Sequence, residues 1–95
     1  MIVGILQLDM HLPARRSLKE KRQALRRIKD RVTAAFRLPM VEVDHQDVWQ
    51  RTMLGCAAVS GEDGDVHSLL EKVVQFVDGM GVGTVLRHDV EILRR

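Results

Sequence analysis

Apolar and polar positions alternate with period two along IVGILQLDMHL, residues 2–12. Ile2, Leu6, Leu8 and Met10 fall on one side; Val3, Ile5, Gln7 and Asp9 fall on the other. That pattern predicts a strand with one fully apolar face. Pro13 ends it. Ser17 then opens SLKE, in which the serine caps a helix and Glu20 reaches back in a capping box. The period lengthens to that of a helix from about Leu18 to Arg37. Leu18, Ala24, Leu25, Ile28, Val32, Ala35 and Phe36 share one arc, on which Lys21 intrudes in the first turn. Lys19, Arg22, Arg26, Lys29 and Arg37 gather on a neighbouring arc.

Pro39 blocks further helix, and MVEVD is a short alternating strand. The polar stretch HQDVWQR, residues 45–51, follows. TMLGCAAVS then predicts a central strand, whose Gly and Ala content implies a close-packed neighbour. GEDGD reads as a turn and cap before a second helix, from about Val66 to Asp78. Its apolar side carries Val66, Leu69, Leu70, Val73, Val74, Phe76 and Val77. After GMGVG the chain alternates again through TVLRHDVEIL, with Leu86, Val90 and Ile92 inward and Arg87, Asp89 and Glu91 outward. The order strand, helix, strand, strand, helix, strand predicts an α+β, ferredoxin-like βαββαβ sandwich. One domain spans residues 1–95, with a four-stranded antiparallel sheet and two helices on one face.

Composition refines this picture. The chain has 95 residues, 45% of them hydrophobic and 3% aromatic, so the core must be aliphatic. No apolar run approaches the ~18 residues of a membrane span. The N-terminus lacks the basic start and cleavage site of a signal peptide. The one cysteine, Cys56, cannot form a disulfide framework. A cytoplasmic protein without membrane contact is expected. The net charge is only +2, yet Arg15 to Arg37 holds ten basic and two acidic residues, a local +8, and the rest carries −6.

That asymmetry makes the first candidate site. Arg15 and Arg16 precede a helix N-terminus, whose free N–H groups favour anions, and Lys19, Arg22, Arg26 and Lys29 continue the positive surface. Nucleic-acid phosphates suit it; a solvated helix with no partner is the plainer reading. The second candidate is His45, Gln46, Asp47, Trp49, Gln50 and Arg51. His45 and Asp47 suggest acid–base chemistry, but no Ser or Cys nucleophile stands nearby. A hairpin explains the polarity better, with Asp47 bonding backbone groups and Trp49 covering an edge of the core. The amide and guanidinium groups also suit a recognition surface. His11, His45, His67 and His88 belong to different elements, so no metal site is expected, and no motif calls for a cofactor. The sheet lacks the aromatics that stack bases in RNA-recognition domains. Val3 and Ile5, beside small groups on the third strand, suit a second copy of the chain. Acyl phosphate hydrolysis, which this fold can host, needs an asparagine; the chain has none.

VGILQLDMHLP, SLKEKR and VDHQDVWQRTMLGCAAVS together resemble the bacterial YlxP-like family, a domain of unknown function numbered 503. Ser17, Leu18, Lys19, Lys21 and Arg22 match one motif; His45, Gln46, Asp47, Trp49, Gln50 and Arg51 match another. LPM at residues 38–40 departs from the family's more usual polar lead into the second strand. The resemblance implies a ferredoxin-like fold. Genes of the family often neighbour those of translation-initiation and ribosome-maturation factors. The expected function is a non-enzymatic module binding ribosomal RNA or a ribosomal particle. The runner-up is a homodimeric protein–protein adaptor with an acidic partner.

Overall fold

The structure is a computed structural model that describes residues 1–14, 16–61 and 63–95, with only the backbone of Asp63 and Gly64. Six elements follow the expected order: β1 (Ile2–His11), α1 (Leu18–Phe36), β2 (Met40–Asp44), β3 (Arg51–Ser60), α2 (Asp63–Gly79) and β4 (Thr84–Arg94). The strands form one antiparallel sheet in the order β2-β3-β1-β4. This is the ferredoxin-like arrangement, with β3 central as its composition implied. β2 starts at Met40, straight after Pro39.

The alternation of β1 builds the core. Leu6, Leu8, Met10 and Leu12 are fully buried and pack with Leu25, Ile28 and Val32 of α1 and Val66, Leu70, Val73 and Val77 of α2 in one cluster. Phe36 and Phe76 meet edge to face, centroids 5.3 Å apart, and join the two helices. Gly4 is required where α2 crosses β1: a Cβ there would lie 2.1 Å from Val66 Cγ1. The close neighbour expected for β3 is Val43, whose Cγ1 would be 2.9 Å from a Cβ on Gly55.

Both ends of α1 are capped. Ser17 Oγ accepts from the Glu20 N–H at 3.1 Å, and Glu20 Oε2 accepts from the Arg16 N–H at 2.7 Å. The reciprocal arm of the box therefore falls one residue upstream of the cap. Arg37 closes the helix in the left-handed region at φ 57°, its N–H donating to the Thr33 carbonyl.

Two expectations from periodicity are corrected. Ala35 is exposed rather than on the packed arc. Leu86 is 50% exposed, because the β1–β4 register shifts between Asp9 and Met10, pairing Met10 with Val85 and Asp9 with Arg87. That extra residue breaks the alternation, and Val85 packs against the core instead. Within GEDGD, expected as a turn and cap, Glu62 lies outside the described residues and α2 already begins at Asp63, three residues before the expected start near Val66. Among the described residues, no helix is long and apolar enough to cross a membrane.

Candidate functional site

The stretch between β2 and β3 is a turn whose backbone is tied to the rest of the fold at several points. His45 has φ 65°, in the left-handed region. Its N–H donates to Asp44 Oδ1 at 2.7 Å, its carbonyl accepts from the Val48 N–H at 3.1 Å, and the same carbonyl accepts from Lys21 Nζ. The Gln50 carbonyl accepts from the Leu12 N–H at 2.9 Å, so the turn also grips the end of β1. Asp44, not Asp47, is thus the carboxylate that organises the backbone here.

Lys21 is the centre of this arrangement. It is 1% exposed, inside the apolar arc of α1. A buried ammonium needs charge and hydrogen-bond partners, because desolvation otherwise disfavours it by several kcal/mol. Glu42 Oε2 lies 2.7 Å away, and Thr52 Oγ1 donates to that same oxygen at 2.7 Å. The His45 carbonyl supplies a further acceptor. Four residues from α1, β2, the turn and β3 therefore close one polar network inside the molecule.

A second ion pair fixes the other leg of the turn. Arg51 donates from Nε to Asp9 Oδ1 at 3.3 Å and from Nη2 to Oδ1 and Oδ2 at 2.9 and 2.8 Å. Asp9 is only 6% exposed although it lies on the sheet face away from the helices. Arg87 Nε stands 3.9 Å from Asp9 Oδ2, so two guanidinium groups share one carboxylate. Arg51 is accordingly bound into the fold rather than free for recognition.

The basic helix is placed differently. Arg16, Lys19, Arg22 and Arg26 are exposed and Lys29 is half-buried. None of these five is ion-paired among the described residues. Arg22, Leu25, Arg26 and Lys29 line a groove with Asp30 and with Glu42 of β2. Arg15 lies outside the described residues. The ties at Lys21 and Leu12 put the turn at the N-terminal end of this helix. Gln46, Asp47 and Gln50 are exposed there, and His45 is half-buried. Trp49 is 47% exposed, and so does not cover the core edge as its chemistry suggested; Val48 beside it is 44% exposed.

No hydrogen bond or ion pair joins His45 and Asp47 among the described residues. His67 and His88, distant in sequence, do meet on one carboxylate: Glu71 is 3.9 Å from His67 Nε2 and 3.2 Å from His88 Nε2. Among the described residues no group of three or more His, Cys, Asp or Glu is arranged to hold a metal ion. On the open sheet face, Ile5, Val41, Val43 and Ala57 flank Gly55 in an apolar trough. Val41 and Val59 stay more than half exposed.

Sequence reasoning missed Glu42, Thr52 and Asp9 as the partners that hold the turn. The one visible signal was Lys21, a charge on an apolar arc, which implies a buried counter-ion somewhere.

The βαββαβ sandwich with its anchored β2–β3 turn defines a small α+β protein of the ferredoxin-like class. The sequence matches the family described as a protein of unknown function, DUF503, over residues 3–90, and the chain belongs to that family. It is 38% identical over 77 residues to the uncharacterized protein YlxP of Bacillus subtilis (strain 168), covering 81% of this chain and 84% of that protein.

Proposed function

We propose that this protein is a non-enzymatic RNA-binding module that engages ribosomal RNA or a ribosomal particle during ribosome maturation or translation. The observation that carries the reading is the groove of Arg22, Arg26 and Lys29 on α1. These cations lie in the +8 segment and carry no intramolecular carboxylate partner among the described residues. Lys21 differs from them, since its ammonium is paired with Glu42 inside the fold. A helix anchored by its apolar side offers phosphates a fixed row of cations, and release of condensed counter-ions would drive binding. Arg16 and Lys19 extend the row to the helix N-terminus, where the dipole adds to the attraction. The neighbouring turn, with Gln46 and Trp49, supplies shape.

The test is a fluorescence anisotropy titration with ribosomal RNA fragments at several salt concentrations. Binding that weakens steeply with salt and is lost on replacing Arg22, Arg26 and Lys29 by Ala supports the reading. No binding at low salt, or affinity indifferent to those replacements, rejects it.

The exposed valines of the open face favour a second reading: a homodimeric adaptor, two copies meeting through that face with the basic helices turned outward toward an acidic protein. Contiguous exposed apolar surface marks association sites. Partners that remain after nuclease treatment, together with a dimeric mass in solution, would favour it.

A further inference from the structure

Trp49 is the only tryptophan of the chain, and nearly half of its surface faces solvent. The core gains nothing from that half. The backbone that presents it is nonetheless fixed: bonds at His45, Val48 and Gln50 hold the turn, and the bidentate Arg51–Asp9 pair holds the strand that leaves it. A rigid turn that displays an indole is a preformed contact, because little conformational freedom remains to be lost on binding. Its position is equally specific. Lys21 and Leu12 tie the turn to the first turn of α1 and to the segment leading into it, where Arg16, Lys19 and Arg22 are exposed.

From this juxtaposition we infer that Trp49 is a stacking platform for an unpaired base of a single-stranded RNA segment, whose phosphates lie along the N-terminal half of α1. The inference rests on the RNA-binding reading above. The charge pattern divides the labour. Asp44 and Asp47 are exposed on the turn and repel phosphate there, whereas α1 attracts it. A π face accepts a base regardless of those carboxylates, so the turn takes the base and the helix takes the backbone. Duplex RNA keeps its bases stacked internally and cannot use the indole, so the site selects a loop, a bulge or a free end.

A lone tryptophan at the site makes the test direct. Its fluorescence is followed while a mixed-sequence ten-nucleotide RNA is added at low salt, first single-stranded and then annealed to its complement. Anisotropy of a labelled copy reports binding separately. Saturable quenching by the single strand is expected, with the same midpoint as the anisotropy curve, and no quenching by the duplex. Trp49→Ala, checked for folding by circular dichroism, should weaken single-strand binding at least about fivefold, and Trp49→Phe should retain most of it. Binding by anisotropy without quenching, with Trp49→Ala as tight as wild type, overturns the stacking site and leaves the basic groove standing. Absence of binding by either readout overturns both. If Trp49→Ala does not fold, the wild-type quenching experiment alone still decides.

Discussion

Lys21 and Glu42 meet at 2.7 Å inside the fold, across the gap between α1 and the edge strand β2. The two sides are unequally enclosed, with side-chain exposures of 2% for Lys21 and 14% for Glu42. Water can reach a stranded carboxylate but hardly a stranded ammonium. Glu42→Ala should therefore cost more than Lys21→Met, about 3–5 kcal/mol against roughly 2–3, since losing one partner of a buried pair leaves an uncompensated charge. Replacing Lys21, Glu42 and Thr52 together by Met, Leu and Val should recover most of the loss. Urea denaturation of the variants measures each step. Equal, small losses below 1 kcal/mol would show that the network does not anchor the turn.

How far the fold could be read in advance follows from where period carries information. Both helices and all four strands were legible because an aliphatic core demands a regular apolar face from each of them. The β4 bulge was not, since one inserted residue moves Leu86 out and Val85 in without changing composition. In the candidate site, the basic face of α1 was legible from helical spacing alone. The turn was not: a turn has no period, so nothing local distinguished the organising Asp44 from Asp47, or a buried Trp49 from an exposed one. Lys21 was visible as an anomaly, but its partners come from β2, β3 and the turn, and only the tertiary structure unites them.

Gly4 marks the closest approach of α2 to the sheet. A methyl group there would sit 2.1 Å from Val66 Cγ1 and 2.8 Å from Leu70 Cδ1. Gly4→Ala should destabilise the protein by about 1–3 kcal/mol, the usual cost of overpacking a core. Adding Val66→Ala frees the clashing atom, so the double variant should lose less than the sum of the two single losses. Additive losses in thermal or chemical denaturation would contradict the contact.

The Arg51–Asp9 pair depends on a planar fork. Three hydrogen bonds from two nitrogens meet both carboxylate oxygens. Among the described residues, Arg51→Ala leaves Asp9, which is 6% exposed, with only the more distant Arg87, and should cost about 1–3 kcal/mol. Arg51→Lys retains the charge but not the fork, and should rescue less than half of that loss. Full rescue by lysine, seen as an unchanged denaturation midpoint, would mean that charge alone matters at this position.

Cys56 lies inward on β3, and burial pushes its thiol above the ordinary value. The folded state thus holds its proton to higher pH than the unfolded chain. Stability from this group is intact below the ordinary thiol range, about pH 8.5, and falls as pH rises toward the folded value. Cys56→Ala should flatten that part of the stability–pH curve, whatever its own packing cost. Thiol alkylation at pH 8 should likewise be slow in the folded protein and fast in urea. Rapid alkylation of the native protein would place the thiol at the surface instead.

The basic groove makes a quantitative demand on salt dependence. If Arg22, Arg26 and Lys29 each neutralise one phosphate, each accounts for a fixed share of the counter-ions released. Removing all three should lower the slope of log K against log salt by about two for single-stranded RNA, together with a large loss of affinity at low salt. Lys21 contributes nothing to that slope, since its ammonium is paired internally with Glu42. A Lys21→Met variant that remains folded should therefore keep the wild-type slope even where its affinity changes. The comparison separates charge that faces a ligand from charge that holds the fold. A slope that drops as much for Lys21→Met as for a single member of the groove would mean that the Lys21 ammonium reaches phosphate and is not held inside the fold, and a slope unchanged by removing Arg22, Arg26 and Lys29 would place the phosphates somewhere other than along α1.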